Sequence, residues 1–182
     1  MNFPLVGEIC GVLATAVGFL IFQQKKRSRI LLLKLTCDVL WSLHFLFLQA
    51  YSGMAISLVA CGREILFSRI GAPGKKKPLP LLFVFLTLNT VMVSLTWSGA
   101  WSVCSMVSGW LGTLAYWQTV PNRIKLLSLA VCASQFTYAL GIGSRSALIN
   151  ELITVSSIAL FFLRFYLEKR NKKKSLEKGD RT

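Results

Sequence analysis

Several side chains able to do chemistry stand inside long apolar stretches of this sequence. Asp38, His44, Arg63, Glu64 and Glu151 all lie among Leu, Val, Ile, Phe and Ala. In an apolar medium a charge is costly unless it is paired or faces a polar space. Such residues therefore mark either packing or function. Arg63 and Asp38 stand at similar depth in neighbouring segments and are expected to meet. Two readings stay open for them: a buried ion pair that fixes helix packing, or charges facing a cavity where Arg63 binds an anion or gates. Glu64 follows Arg63 by 100° around a helix and is expected on another face. His44 is the only histidine, with Trp41 three residues before it. It is either a packed, hydrogen-bonded residue or a proton carrier, which would need a hydrated path. Trp41, His44, Gln135, Tyr138, Asn150 and Glu151 are expected to form one outward-facing patch suited to a small polar solute.

Other chemistry is not visible. There is no phosphate-binding loop, no HExxH, no serine elbow and no paired metal-ligand spacing. No catalytic residue, metal site or cofactor is expected, and the chain is not expected to be an enzyme. A lipid-modifying enzyme with a lateral opening beside Glu151 is the weakest alternative. The five cysteines form no CxxC pair and read as small packing residues.

The elements that must position these residues follow from composition. The chain has 182 residues, 54% of them hydrophobic, and its mean hydropathy is +0.58. Only 15% are charged, against about 25% in ordinary globular domains. A net charge of +14 would suggest nucleic acid in a soluble protein. Here the apolar excess points to a membrane protein with its positive charge at the edges. Seven stretches approach the roughly 20 residues that a spanning helix needs: 3–22, 30–49, 53–71, 79–98, 101–119, 123–142 and 146–167. The expected fold is all-α, one transmembrane domain over 1–168, with a basic cytoplasmic tail at 169–182. Met1–Gly7 lacks a basic n-region and Glu8 follows early, so the first segment is expected to remain as a helix.

Charge sets the orientation. Lys25, Lys26, Arg27, Arg29 and Lys34 fall at the first connection, and Arg69, Lys75, Lys76 and Lys77 at the third. Arg123 and Lys125 fall at the fifth. Arg164, Lys169, Arg170, Lys172, Lys173, Lys174, Lys178 and Arg181 fall at the C-terminal end. Together these hold 19 of the 21 basic residues. Alternation of this kind places the N-terminus outside and the C-terminus in the cytoplasm. The tail would attract anionic lipid, not nucleic acid. Tyr116, Trp117, Trp97 and Trp101 read as an aromatic belt. Gly7-x-x-x-Gly11 permits close helix approach, within the bundle or in a homo-oligomer.

Shifting the sequence by 94 aligns 5–71 with 99–165 without a gap. Cys10 then meets Cys104, Gly18 meets Gly112, Gln24 meets Gln118, Arg29-Ile30 meets Arg123-Ile124, and Phe67 meets Phe161. Each half reads helix, basic loop, helix, short loop, helix. Two parallel three-helix repeats, at about 3–71 and 101–167, are thus joined by a linker helix at about 79–98. This arrangement resembles the PQ-loop superfamily, the architecture of the SWEET sugar transporters. Both helix-end glutamines of that pattern remain, in Phe22-Gln23-Gln24 and Trp117-Gln118, but the prolines before them do not. Short motifs bring a second resemblance, to bacterial inner-membrane proteins of the YgjV type. These are His44-Phe45 with Tyr51, Arg63, Gly112-Thr113, Glu151 and Arg164-Phe165-Tyr166. That resemblance implies an inner-membrane location and no particular activity. The function expected is a transporter or facilitator of a small polar or anionic solute, with its site between the repeats. The alternative is a non-transporting accessory or regulatory membrane protein whose buried charges serve packing.

Overall fold

A computed structural model of the protein describes residues 3–47, 51–70, 78–97, 99–142 and 145–179. Seven α-helices account for nearly all of them: α1 (Phe3–Gln23), α2 (Arg27–Phe47), α3 (Tyr51–Ile70), α4 (Leu79–Leu95), α5 (Ser102–Trp117), α6 (Pro121–Ile142) and α7 (Arg145–Gly179). No strand occurs among the described residues. The lysines at 75–77 lie outside the described residues.

The helices begin and end where backbone chemistry requires it. Pro78 and Pro80 open α4, where a missing N–H costs nothing. Gln118 takes an extended conformation after α5, and Pro121 is the first residue of α6. Only three residues separate α1 from α2. Short connections make sequential neighbours antiparallel, and α2 packs between α1 and α3. Likewise α6 packs on α5 and α7, while α4 lies against α3 and α5. The two ends of the chain are tied by α1 against α7, and α3 touches α5. At 35 residues, α7 is roughly 50 Å long, more than the roughly 30 Å hydrocarbon core. The basic tail therefore continues the helix past the membrane boundary.

The burial pattern is inverted relative to a water-soluble protein. Leu13, Leu32, Phe83, Leu126, Leu152 and Leu163 are exposed, whereas Asp38, Arg63, Glu64, Asn89, Thr113, Lys125 and Ser157 are buried. An apolar exterior around a polar interior suits lipid as the surrounding solvent. Four described stretches are long and apolar enough to cross a membrane: Leu5–Gln23, Arg27–Phe47, Pro121–Gly141 and Leu148–Arg170. Of the rest, α4 has 17 residues and α5 has 16, while α3 carries both Arg63 and Glu64.

Candidate functional site

The buried charges converge where α2, α3 and α5 approach one another. Arg63 does not pair with Asp38. Its Nε and Nη2 donate to the two carboxylate oxygens of Glu64, at 3.3 and 3.0 Å, and its Nη1 donates to Thr113 Oγ1 at 3.1 Å. The expected separation of Arg63 and Glu64 around the helix fails for a simple reason. A guanidinium on a long flexible stem swings across the 100° that separates their Cα–Cβ bonds. Thr113 joins the pair to α4, because Oγ1 also accepts from Asn89 Nδ2 at 3.0 Å while donating to Gly109 O at 2.8 Å. That hydroxyl therefore uses its donor and both acceptor positions.

Asp38 pairs instead with Lys34, one helical turn earlier, through Oδ1. The i,i+4 spacing was visible in the sequence. Lys34 had been assigned to the basic loop, and the structure places it in the interior. Among the described residues the other Asp38 oxygen, Oδ2, is buried without a partner, as is Ser42 Oγ one turn further on. Tyr116 links the two ion pairs. Its ring centroid lies 5.7 Å from Lys34 Nζ and 5.4 Å from Arg63 Cζ. This residue is 5% exposed and belongs to the core, not to a surface aromatic belt. Trp117 packs edge-on against Phe67. Trp97 and Trp101 are exposed, as a belt requires.

His44 is held as a packing residue. Its Nδ1 lies 2.8 Å from Gly7 O, and a carbonyl only accepts, so Nδ1 carries the hydrogen. Its ring meets Trp41 edge-on at 5.1 Å and Phe45 at 5.2 Å. A Cβ on Gly11 would lie 2.9 Å from His44 Nδ1. The Gly7/Gly11 pair is thus the seat for this imidazole.

Asn150 and Glu151 form a separate group on α7, with Asn150 Nδ2 donating to Glu151 Oε1 at 3.1 Å. Glu151 also engages the thiol of Cys132 on α6. Gly18 sits where this group meets α2: a Cβ there would be 3.9 Å from Cys37 Sγ and 4.0 Å from Asn150 Oδ1. Trp41 and His44 are one cluster, Asn150 and Glu151 another. No described hydrogen bond or ring contact joins Gln135 or Tyr138 to either. Two cavities of about 640 and 320 Å³ lie along α4. They are lined by residues such as Phe83, Leu88, Thr90 and Trp110, with none of the candidate side chains.

Two basic residues seal the ends of helices. Arg27 donates from Nε to Gln118 O at 2.7 Å and from both terminal nitrogens to Phe67 O, with a further bond to Tyr116 O. Lys125 is fully buried and donates to Gln24 O at 2.7 Å, with its ammonium over the Phe161 ring. Each satisfies carbonyls that a helix end leaves open. Reading these cations only as loop charges missed this role.

An apolar seven-helix exterior closed around ion pairs defines a polytopic helical membrane protein. The sequence model of the bacterial inner membrane protein family of the YgjV type matches residues 5–169, and the chain belongs to that family. No curated protein and no solved structure matches it.

Proposed function

We infer that the protein is a seven-span transporter or facilitator of a small polar solute, moving it between two parallel three-helix units. The observation that carries this reading is the central polar cluster. Lys34, Asp38, Arg63 and Glu64 come from the first unit and Tyr116 and Thr113 from the second, with Asp38 Oδ2 and Ser42 Oγ left unpartnered among the described residues. Packing alone does not call for unsatisfied acceptors, since a buried polar atom without a partner costs about 1–3 kcal/mol. Both cations of this cluster, Lys34 and Arg63, already hold carboxylates, which favours a neutral or cationic solute over an anionic one.

Pseudo-symmetric chemistry supports the repeat. Gln24 and Gln118 are related by the 94-residue shift, and so are Phe67 and Phe161. Arg27 bonds Phe67 of its own unit and Gln118 of the other. Lys125 meets Phe161 of its own unit and bonds Gln24 of the other. Lys125 stands one turn beyond the position equivalent to Arg27, on the same helix face. Gly18 and Gly112, also equivalent, both open onto the cluster. The contact of α1 with α7 matches that of α5 with α3.

Uptake in proteoliposomes from a panel of small polar and cationic solutes tests the reading. Arg63→Ala and Glu151→Ala are expected to abolish uptake while the protein still inserts. Normal uptake by both variants sinks the site. A second reading, a non-transporting membrane component, draws on the complete pairing of Arg63 with Glu64 and Thr113. It expects no flux for any solute.

A further inference from the structure

The charge account of the buried cluster does not close. On α2 it contains Lys34 and Asp38, with Cys37 beside them. On α3 it contains Arg63 and Glu64, with Cys61 nearby. Tyr116 enters from α5, Cys132 from α6 and Glu151 from α7. From α1 the approach is made by Gly18, which carries no side chain. Two cations therefore face three carboxyl groups. Glu64 has both oxygens on Arg63, and Asp38 has one on Lys34. Glu151 makes no ion pair among the described residues, and its hydrogen-bonding partners are the neutral amide of Asn150 and the neutral thiol of Cys132.

An ionised carboxylate without a counter-ion is among the most expensive groups to place inside a membrane. We propose that Glu151 is a proton-binding site, holding one exchangeable proton as a neutral carboxyl at the meeting of α2, α6 and α7. The environment suits that form. A neutral carboxyl offers one O–H donor and keeps acceptor capacity. Oε1 accepts from Asn150, and the O–H can donate to the sulfur of Cys132. The proton is exchanged with water as H⁺, with no change in electron count. Its loss leaves Lys34, an electrostatic neighbour of both Asp38 and Glu151, as the cation to be shared between them. That step would draw α2 toward α7, across the boundary between the two units. His44 lies in a different group, with its Nδ1 bonded to Gly7 O and its ring against Trp41 and Phe45. Coupling of this proton to a solute rests on the transport reading, whereas the proton site itself does not.

The test needs no solute. The full chain is placed in liposomes of zwitterionic lipid. Infrared difference spectra are recorded as the medium is stepped between about pH 5 and 8, in H₂O and in D₂O. The wild type is expected to show a protonated-carboxyl C=O band that titrates and shifts on deuteration. E151Q removes it, E151D retains it at a shifted position, and H44Q leaves it in place. Solvated acids such as Glu168 contribute alike to every variant and cancel. The proposal is overturned if the wild type has no titrating protonated carboxyl or if the band survives in E151Q. Should E151Q fail to insert, C132A decides: loss of the thiol partner must move the band, and an unmoved band overturns the proposal. A flux assay that fails while the band behaves as described removes the transport reading alone.

Discussion

Arg63 and Glu64 are adjacent in sequence and satisfy each other completely, so each depends on the other. Removing one side of such a buried pair strands a charge, at a cost of about 3–5 kcal/mol, whereas replacing both by apolar residues of similar volume is often close to neutral. Arg63→Ala is thus expected to lower the melting temperature in detergent sharply, and the Arg63→Met/Glu64→Leu double variant to recover most of the loss. A double variant as unstable as Arg63→Ala would mean that the bond to Thr113 dominates instead. Glycines give a second contrast at this scale. A methyl group at Gly11 runs into the pinned His44 ring, while one at Gly62 meets nothing within 4 Å. Gly11→Ala should destabilise by about 1–3 kcal/mol. Gly62→Ala should be neutral or gain up to about 1 kcal/mol from higher helix propensity. Thermal melts of the two variants side by side check this.

The helices are held to one another, at the end of the bundle that carries the first and fifth connections, by a few basic side chains. Arg27 gathers carbonyls from α3 and α5 and from the loop after α5. On the other side of the bundle, Gln23 Nε2 donates to Ser157 O and Oγ at 2.8 and 2.9 Å, and Ser157 Oγ donates to Phe19 O at 2.6 Å. Lys125 adds its bond to Gln24 O. Hydrogen bonds to charged groups contribute about 1.5–3 kcal/mol each. Losing those of Arg27 should shift an opening equilibrium at this end by about tenfold or more. Arg27→Gln is expected to speed labelling of the buried Cys37 and Cys61 by a membrane-impermeant thiol reagent in inside-out vesicles. Unchanged labelling would show that this end is not a moving part.

For the whole molecule, the exterior is set by lipid and the charge by topology. The distribution of Lys and Arg predicts a cytoplasmic C-terminus and an outside N-terminus. A reporter fused after Thr182 should accordingly be active only in its cytoplasmic form. Activity of a periplasmic reporter there would invert the topology. The extension of α7 past the membrane has a nearby anchor, Lys25 with Glu168 at 3.0 Å. That pair is exposed on both sides, and exposed pairs contribute about 0–1 kcal/mol. The position of the extension is therefore governed mainly by the continuous helix.

Much of this architecture was legible in the sequence. Six of the seven helices were located to within a few residues, because apolar runs of near-membrane length, broken by Gly, Pro and basic clusters, leave the backbone few other ways to satisfy its hydrogen bonds in lipid. The seventh runs to Gly179, well past the expected end at 167, because a charged tail stays helical once its apolar part has nucleated the helix. The class and the family came with them. Partners were decided only by the tertiary structure. Arg63 was read with Asp38 because the two share a depth, but long side chains choose partners by reach, and Glu64 and Lys34 were nearer. Lys34 and Lys125 were counted as loop charges although one is half-buried and the other buried, since hydropathy registers a charge and not the carbonyl or carboxylate that receives it. His44 was legible as a histidine beside Trp41, but its bond from Nδ1 to Gly7 O on a neighbouring helix was not. Glu151 shows the opposite case: folding supplied a cation to each of the buried acids Asp38 and Glu64 and left this half-buried one with neutral partners among the described residues.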